Sequence, residues 1–335
     1  YLCAVMGASD RRIFGVGLMI AVTMGDPAGI GPETLVKAWP ELTGARMAYG
    51  DLAVLQAAAA QWAPNLTVST QGPSDQPGHM RVVACSDLLS APVMGQVDAA
   101  CGQASFDALA CAVSDAMAGQ VQAIVTAPIT KAAWHAAGID YPGHTEYLAE
   151  RNQREVIMVL ANDDIAVALA TVHCSMQQAI EQIRSGAVER ALPLAIQAAQ
   201  GLGFSQPRIA VAGLNPHAGE GGLFGDEELN HIGPAIDALG IPNVTGPWPG
   251  DTVFMRARQG EFDLVLAMTH DQGLIPVKYL GVERGVNFTA GLDFVRTSPD
   301  HGSAYDIAGT GQANHLALHY AYQQALRILS RRLAS

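Results

Sequence analysis

The 335 residues are 49% hydrophobic and 15% charged, which describes a globular chain with a substantial core and excludes a disordered one. A formal net charge of −12 excludes a nucleic-acid surface, because binding backbone phosphates requires clustered Lys and Arg. No run of about 18 uninterrupted apolar residues occurs, so neither a transmembrane helix nor a membrane partner is expected.

Residues 1–18 read as an N-terminal extension, with residues 19–335 forming the α/β body. Arg11 and Arg12 precede only a short apolar patch with no small-residue cleavage site, a pattern unlike a secretory signal. The five cysteines (Cys3, Cys85, Cys101, Cys111, Cys174) are scattered and include no CxxC, as expected of reduced thiols in a cytoplasmic protein. Cys174 beside His173 reads as a small buried thiol.

Met19–Val22 is a strand running into GDPAGIGPE, whose glycines and helix-starting Pro32-Glu33 predict a tight turn with free backbone N–H groups. Its spacing is neither GxGxxG nor a Walker A loop. Pro64–Gly78 is the most loop-like interior segment. Ser105–Ala118 predicts a helix with Phe106, Leu109, Ala110, Val113 and Met117 on one face, stopped by Gly119. Val121–Thr126 predicts a strand that delivers APITK, followed by the polar loop YPGHTE.

Three further apolar runs, Ile165–Thr171, Arg208–Gly213 and Asp263–Met268, each lead into a histidine: His173, His217 and His270. Helical patterns over Met176–Ile183, Ala187–Ala199 and Glu227–Leu239 alternate with them, which predicts a largely parallel sheet covered by helices. A last amphipathic helix over His315–Arg332 turns Leu318, Tyr322, Leu326 and Leu329 toward the core.

In such sheets ligand chemistry gathers beyond the carboxyl ends of the strands, where these histidines fall. Three neutral imidazoles with an open position suit a first-row divalent ion, although spacings of 44 and 53 residues make no local motif. Lys278, Asn287 and Arg296 recur at intervals of nine and suit a phosphate or carboxylate. The candidate catalytic residues are Asp251, Asp271 and Lys278, and the two carboxylates serve equally as partners that orient an imidazole.

The motifs GDPAGIGPE, TAPITK, GHTEYLAE, LNPHAGEGG, GPWPGDT, HDQGLIPVKYLG and RTSPDHGSAYDIAGTG together resemble the 4-hydroxythreonine-4-phosphate dehydrogenase family of pyridoxal phosphate biosynthesis, from about Met19 to the C-terminus. The resemblance implies an isocitrate/isopropylmalate dehydrogenase-like fold, with two interleaved α/β lobes and a cleft between them. It implies that His173, His217 and His270 bind one divalent metal per subunit (Zn, Mg or Co). His144, Thr145, Lys278, Asn287 and Arg296 would hold a phosphorylated small-molecule substrate, in a site completed across a homodimer interface.

His301-Gly302-Ser303-Ala304-Tyr305-Asp306-Ile307-Ala308-Gly309 is similar, more distantly, to the HGSAPDIAG loop of isocitrate and isopropylmalate dehydrogenases, with Tyr305 in place of Pro. That likeness implies that His301, Gly302, Ser303 and Ala304 hold NAD or NADP, with Asn314 against the adenine. The reaction so implied is oxidation of 4-(phosphooxy)-L-threonine followed by loss of CO₂. Rival readings are a sister dehydrogenase acting on erythronate or threonate 4-phosphate or on a dihydrodiol dicarboxylate, and, from another class, a zinc hydrolase or a metal- and anion-binding protein.

Overall fold

A computed structural model describes residues 18–281 and 285–334. The extension, apart from Leu18, and Cys3 lie outside the described residues. The described strands are β1 (Met19–Thr23), β2 (Ala45–Asp51), β3 (Thr67–Ser69), β4 (His79–Ser86), β5 (Ala123–Thr126), β6 (Ile157–Ala161), β7 (Ala166–Leu169), β8 (Ile209–Ala212), β9 (Val244–Trp248), β10 (Leu264–Ala267), β11 (Val286–Ala290) and β12 (Val295–Pro299). The helices are α1 (Gly31–Ala38), α2 (Leu52–Trp62), α3 (Ala99–Met117), α4 (Lys131–Ala136), α5 (His144–Asn152), α6 (Met176–Arg184), α7 (Ala187–Leu202), α8 (Gly233–Leu239), α9 (Val253–Arg258), α10 (His270–Tyr279) and α11 (Leu316–Ala334). No described helix is long and apolar enough to cross a membrane.

The chain divides into two units, the first formed by Tyr1–Asn152 with Asp293–Leu329 and the second by Gln153–Leu292 with Ser330–Ser335. In the first, the strand order is β3-β4-β2-β1-β5-β12, and every pairing is parallel. β1 and β5 are buried along their whole length, as strands covered by helices on both faces must be. Pro32 opens α1, and the Asp51 and Asp98 carboxylates cap α2 and α3 by accepting from Val54 N and Cys101 N.

Three departures from the expected pattern fall in this unit. The segment expected to be loop includes the short edge strand β3. The helix α3 starts earlier than its pattern suggested, and its buried stripe is Ala104, Ala108, Ala112 and Ala116 with Leu109 and Val113, while Met117 is 50% exposed. Small residues are needed on that stripe because α3 packs closely: a Cβ on Gly102 would stand 2.1 Å from the Ala133 carbonyl oxygen. In α11 it is Ala325, with Leu318, Tyr322 and Leu329, that is buried, and Leu326 is only partly covered.

The second unit is a mixed sheet in the order β11-β6-β7-β10-β8-β9. β11–β6 and β6–β7 are antiparallel, whereas β7, β10, β8 and β9 are mutually parallel. Val167, Leu169, Ala210, Ala212, Val265 and Ala267 form its core with Leu160, Val253 and Leu274. The pattern over Glu227–Leu239 is not one helix: a π-helical turn over Glu228–Ile232 precedes α8. That turn aims Glu228 into the protein, which matters for the histidine loops below.

Candidate active site

The three histidine-bearing ends belong to adjacent parallel strands in the order β7, β10, β8, so they open on one rim of the second unit's sheet. The rings of His173 and His270 lie 5.5 Å apart between centres, tilted by 40°. Two imidazoles bound to one tetrahedral ion at about 2.0–2.1 Å each hold their ring centres about 5 Å apart, so the pair suits a shared ion. His270 Nδ1 lies 2.8 Å from Asp271 Oδ1. Donation from Nδ1–H to that carboxylate would fix the tautomer that presents Nε2 as a ligand.

His217 is differently placed. Its ring centre lies 6.2 Å from that of Phe224, and among the described residues no three His, Cys, Asp or Glu side chains close into a metal-holding group. Its backbone is left-handed (φ 52°), as is that of His173 (φ 38°), Ala218 (φ 52°) and Glu220 (φ 43°). Non-glycine residues held there carry strain that the surroundings must impose.

For the loop that carries His217, those surroundings are a pair of carboxylates. The buried Glu228 carboxylate accepts from Leu214 N and Asn215 N through Oε1 and from the Asn215 amide through Oε2, at 2.7–2.9 Å. Glu227 accepts from the same amide at 2.7 Å and from Arg184 at 2.7 Å. Burial alone would raise the Glu227 carboxyl, but these bonds outweigh it and hold it below the usual carboxylate range.

Gln272 ties the rim together, accepting from Met268 N at 2.7 Å and donating to Gly213 O at 2.7 Å. Its amide lies where a Cβ on Gly250 would be only 2.9 Å away, which puts the exposed Asp251 on the same rim. Lys278 is exposed on α10 and Asn287 lies on β11, with its buried Oδ1 unpartnered. Cys174 is half-buried rather than buried, and it is an unbridged thiol like Cys85, Cys101 and Cys111.

Three of the residues expected to hold the substrate, His144, Thr145 and Arg296, lie in the first unit. Arg296 on β12 is 4% exposed, and its Nε and Nη2 donate to Thr126 Oγ1, at the carboxyl end of β5, at 3.2 and 2.7 Å. Burial pushes the guanidinium down to about 10 despite the opposing charge of Glu146. His144 and Thr145 open α5, whose first-turn N–H groups favour an anion. Burial first, then the charges of Arg296 and Lys131, push His144 well below the ordinary imidazole range, so it is neutral. Its Nε2 is buried and unpartnered while its ring meets the edge of Trp134 at 5.7 Å. Thr126 and Lys131 are the two ends of the TAPITK motif but were given no site role from the sequence; their position at the end of a predicted strand and just after it is a second signal.

The GDPAGIGPE turn corrects its own expectation. Its N–H groups are spent within the protein: Asp26 N on Pro128 O, Ala28 N on Asp26 Oδ1, Gly29 N on Asp26 O, and Ile30 N on Ser303 O. The turn is therefore a buried support for residues 301–309. Within that loop Ala304 is left-handed (φ 41°), Ser303 Oγ lies 2.7 Å from Thr130 Oγ1, and His301 Nε2 is buried and unpartnered. Lys37 Nζ donates to the carbonyls of Gly311 and Ala313 and pairs with Glu33, which fixes the approach to Asn314. Asn314 and His315 line a cavity of about 680 Å³ with Trp62 and Leu66. Asn314 Oδ1 accepts from Leu316 N, so a base at this residue would meet its Nδ2 donors.

Residues 43–325 match the family described as pyridoxal phosphate biosynthetic protein PdxA. The chain belongs to this family. A 4-hydroxythreonine-4-phosphate dehydrogenase of Beijerinckia indica subsp. indica is 52% identical over 320 residues, covering 92% of this chain and 94% of the relative. A D-threonate 4-phosphate dehydrogenase of Pectobacterium atrosepticum is 42% identical over 327 residues, covering 92% and 99%. The crystal structure of 4-hydroxythreonine-4-phosphate dehydrogenase from Klebsiella pneumoniae aligns with a TM-score of 0.83 at 41% identity, covering 94% of this chain and 98% of that one. The α/β architecture of PdxA structures is thus the architecture of this chain.

Proposed function

We propose that the chain oxidises 4-(phosphooxy)-L-threonine to 2-amino-3-oxo-4-(phosphooxy)butanoate with NAD⁺, and that loss of CO₂ then gives 3-amino-2-oxopropyl phosphate. The observation that carries this choice is the higher identity to a 4-hydroxythreonine-4-phosphate dehydrogenase than to a D-threonate 4-phosphate dehydrogenase. His173, His270 and His217 would hold the metal, and residues 301–304 with Asn314 the nucleotide. When bound, a divalent ion supplies Lewis acidity toward the substrate oxygens, and NAD⁺ supplies the hydride acceptor.

The protein's own groups would do the rest. Arg296, Lys278, Asn287, His144 and Thr145 hold the substrate, with Arg296 and Lys278 on its phosphate, which is remote from the reacting carbon and supplies positioning energy. Neutral His144 does so as a hydrogen-bond partner that adds no charge. Asp271 is committed to His270, so Asp251 is the stronger candidate to take the hydroxyl proton as hydride leaves the same carbon. The new ketone is β to the carboxylate; CO₂ departs, and the electron pair left on the α-carbon is taken by a proton. The active unit is a cytoplasmic homodimer.

The test is a comparison of kcat/KM for 4-(phosphooxy)-L-threonine and D-threonate 4-phosphate with NAD⁺ and with NADP⁺, followed by the absorbance of the reduced nucleotide. The amino acid with NAD⁺ is the preferred pair. A preference for D-threonate 4-phosphate would replace this reading with the sister activity.

A further inference from the structure

Tyr305 stands in the loop position where the distantly similar enzymes have Pro, and its hydroxyl donates to Asp26 Oδ2 at 2.6 Å. Asp26 is fully buried, and its other oxygen accepts from Ala28 N at 2.9 Å. Two more contacts join the same pair of segments. Ile30 N donates to Ser303 O at 3.0 Å, and Gly29 lacks the Cβ that would meet Ser303 Cβ at 2.8 Å. A third segment braces the loop from another side: Gly95 N donates to Ala28 O, and a Cβ on Gly95 would stand 2.6 Å from Tyr305 O. Met94 meanwhile lies where a Cβ on Gly309 would clash at 2.8 Å.

We propose that Tyr305 is a positioning residue for the nucleotide: through Asp26 it fastens loop 301–309 to the glycine turn and holds the loop in its ligand-binding shape before the ligand arrives. The inference rests on the cofactor reading given above. A proline in this position stiffens a loop by fixing its own φ. Tyr305 replaces that stiffness with a tie to a buried carboxylate, a charge-assisted bond stronger than a neutral one. The left-handed Ala304 beside it is strain that such a tie can maintain. A preformed loop spares the nucleotide the entropic cost of ordering it, so the effect falls on binding rather than on the chemical step.

The experiment uses the full chain and Tyr305→Phe, which keeps the ring and removes only the hydroxyl, with its bonds to Asp26 and Thr130. For each protein the Kd for NAD⁺, the KM for NAD⁺ and for the phosphorylated substrate, kcat, and the exchange of loop amides without nucleotide are measured. The expected result is a rise of roughly tenfold in Kd and KM for NAD⁺, about 1.4 kcal/mol. Substrate KM and kcat stay within about twofold, and amide exchange is faster in residues 301–309.

A Kd for NAD⁺ within about twofold of the unsubstituted protein overturns the proposal. So does an equal loss for both ligands with a lowered Tm, which would make Tyr305 a general stabilising residue. If the unsubstituted protein itself binds no NAD⁺, the cofactor reading fails first and this one with it. Should Tyr305→Phe not accumulate, Asp26→Asn probes the same bond: the weaker neutral bond should raise the nucleotide Kd about threefold, and an unchanged Kd overturns the proposal.

Discussion

His270 Nδ1 lies 2.8 Å from the carboxylate of Asp271, the next residue in the first turn of α10. The carboxylate is 84% exposed and gives the chain's core nothing, and a bond from Nδ1–H to it would orient the imidazole. Removing it in Asp271→Ala should lower metal affinity by about 10- to 100-fold with little change in Tm. Metal titration of the apoprotein followed by a chelating dye checks this.

Arg296 and Lys278 are predicted to read the substrate phosphate. Replacing either Arg296 by Lys or Lys278 by Ala removes a bond to a charged group, about 1.5–3 kcal/mol, or roughly 10- to 150-fold in kcat/KM. The same substitutions should change turnover of the dephosphorylated analogue by much less. Steady-state kinetics on the two compounds makes the comparison, and an equal loss on both would remove these residues from the phosphate site.

The neutral, buried His144 makes stability depend on pH with a definite sign. Its folded pKa is depressed below its unfolded value of about 6.5, so above that pH neither state is protonated and stability is unaffected. As pH falls below about 6.5 the unfolded chain takes up a proton that the folded protein refuses, and stability is lost. The loss approaches about 1.4 kcal/mol per pH unit and ends only where the folded group itself titrates. His144→Gln should remove this one-proton share of the slope. Urea unfolding of both proteins across the acid range measures the difference.

Glu228 predicts a coupled loss of stability and metal binding. Glu228→Ala leaves the part-buried N–H groups of Leu214 and Asn215 without their acceptor, which should cost about 1–3 kcal/mol. The loop carrying His217 loses its anchor at the same time. Thermal unfolding with and without metal should show the variant less stabilised by metal than the unsubstituted protein.

The alternation of strands and helices was legible because a buried parallel strand is a short apolar run bounded by turns, and Leu264–Ala267 and Ile209–Ala212 look like nothing else. That the strands leading toward His173, His217 and His270 open on one rim follows from β7, β10 and β8 being adjacent and parallel. Glu228 carried no signal, because a carboxylate in a helical pattern reads as a solvated face and only the π-helical turn buries it. The glycine turn misled for a related reason. Glycines mark close backbone approach, and here the approaching partner is Ser303 of the same chain. Pairings such as Tyr305 with Asp26, 279 residues apart, exist only in the folded protein.

The most direct measurement is the product balance of the metal-loaded protein with 4-(phosphooxy)-L-threonine and NAD⁺. The account predicts NADH and CO₂ in equal amounts, each matching the substrate consumed, with turnover lost on chelation and restored by Zn²⁺, Mg²⁺ or Co²⁺. Absence of NADH formation from this substrate by folded, metal-loaded protein would contradict it.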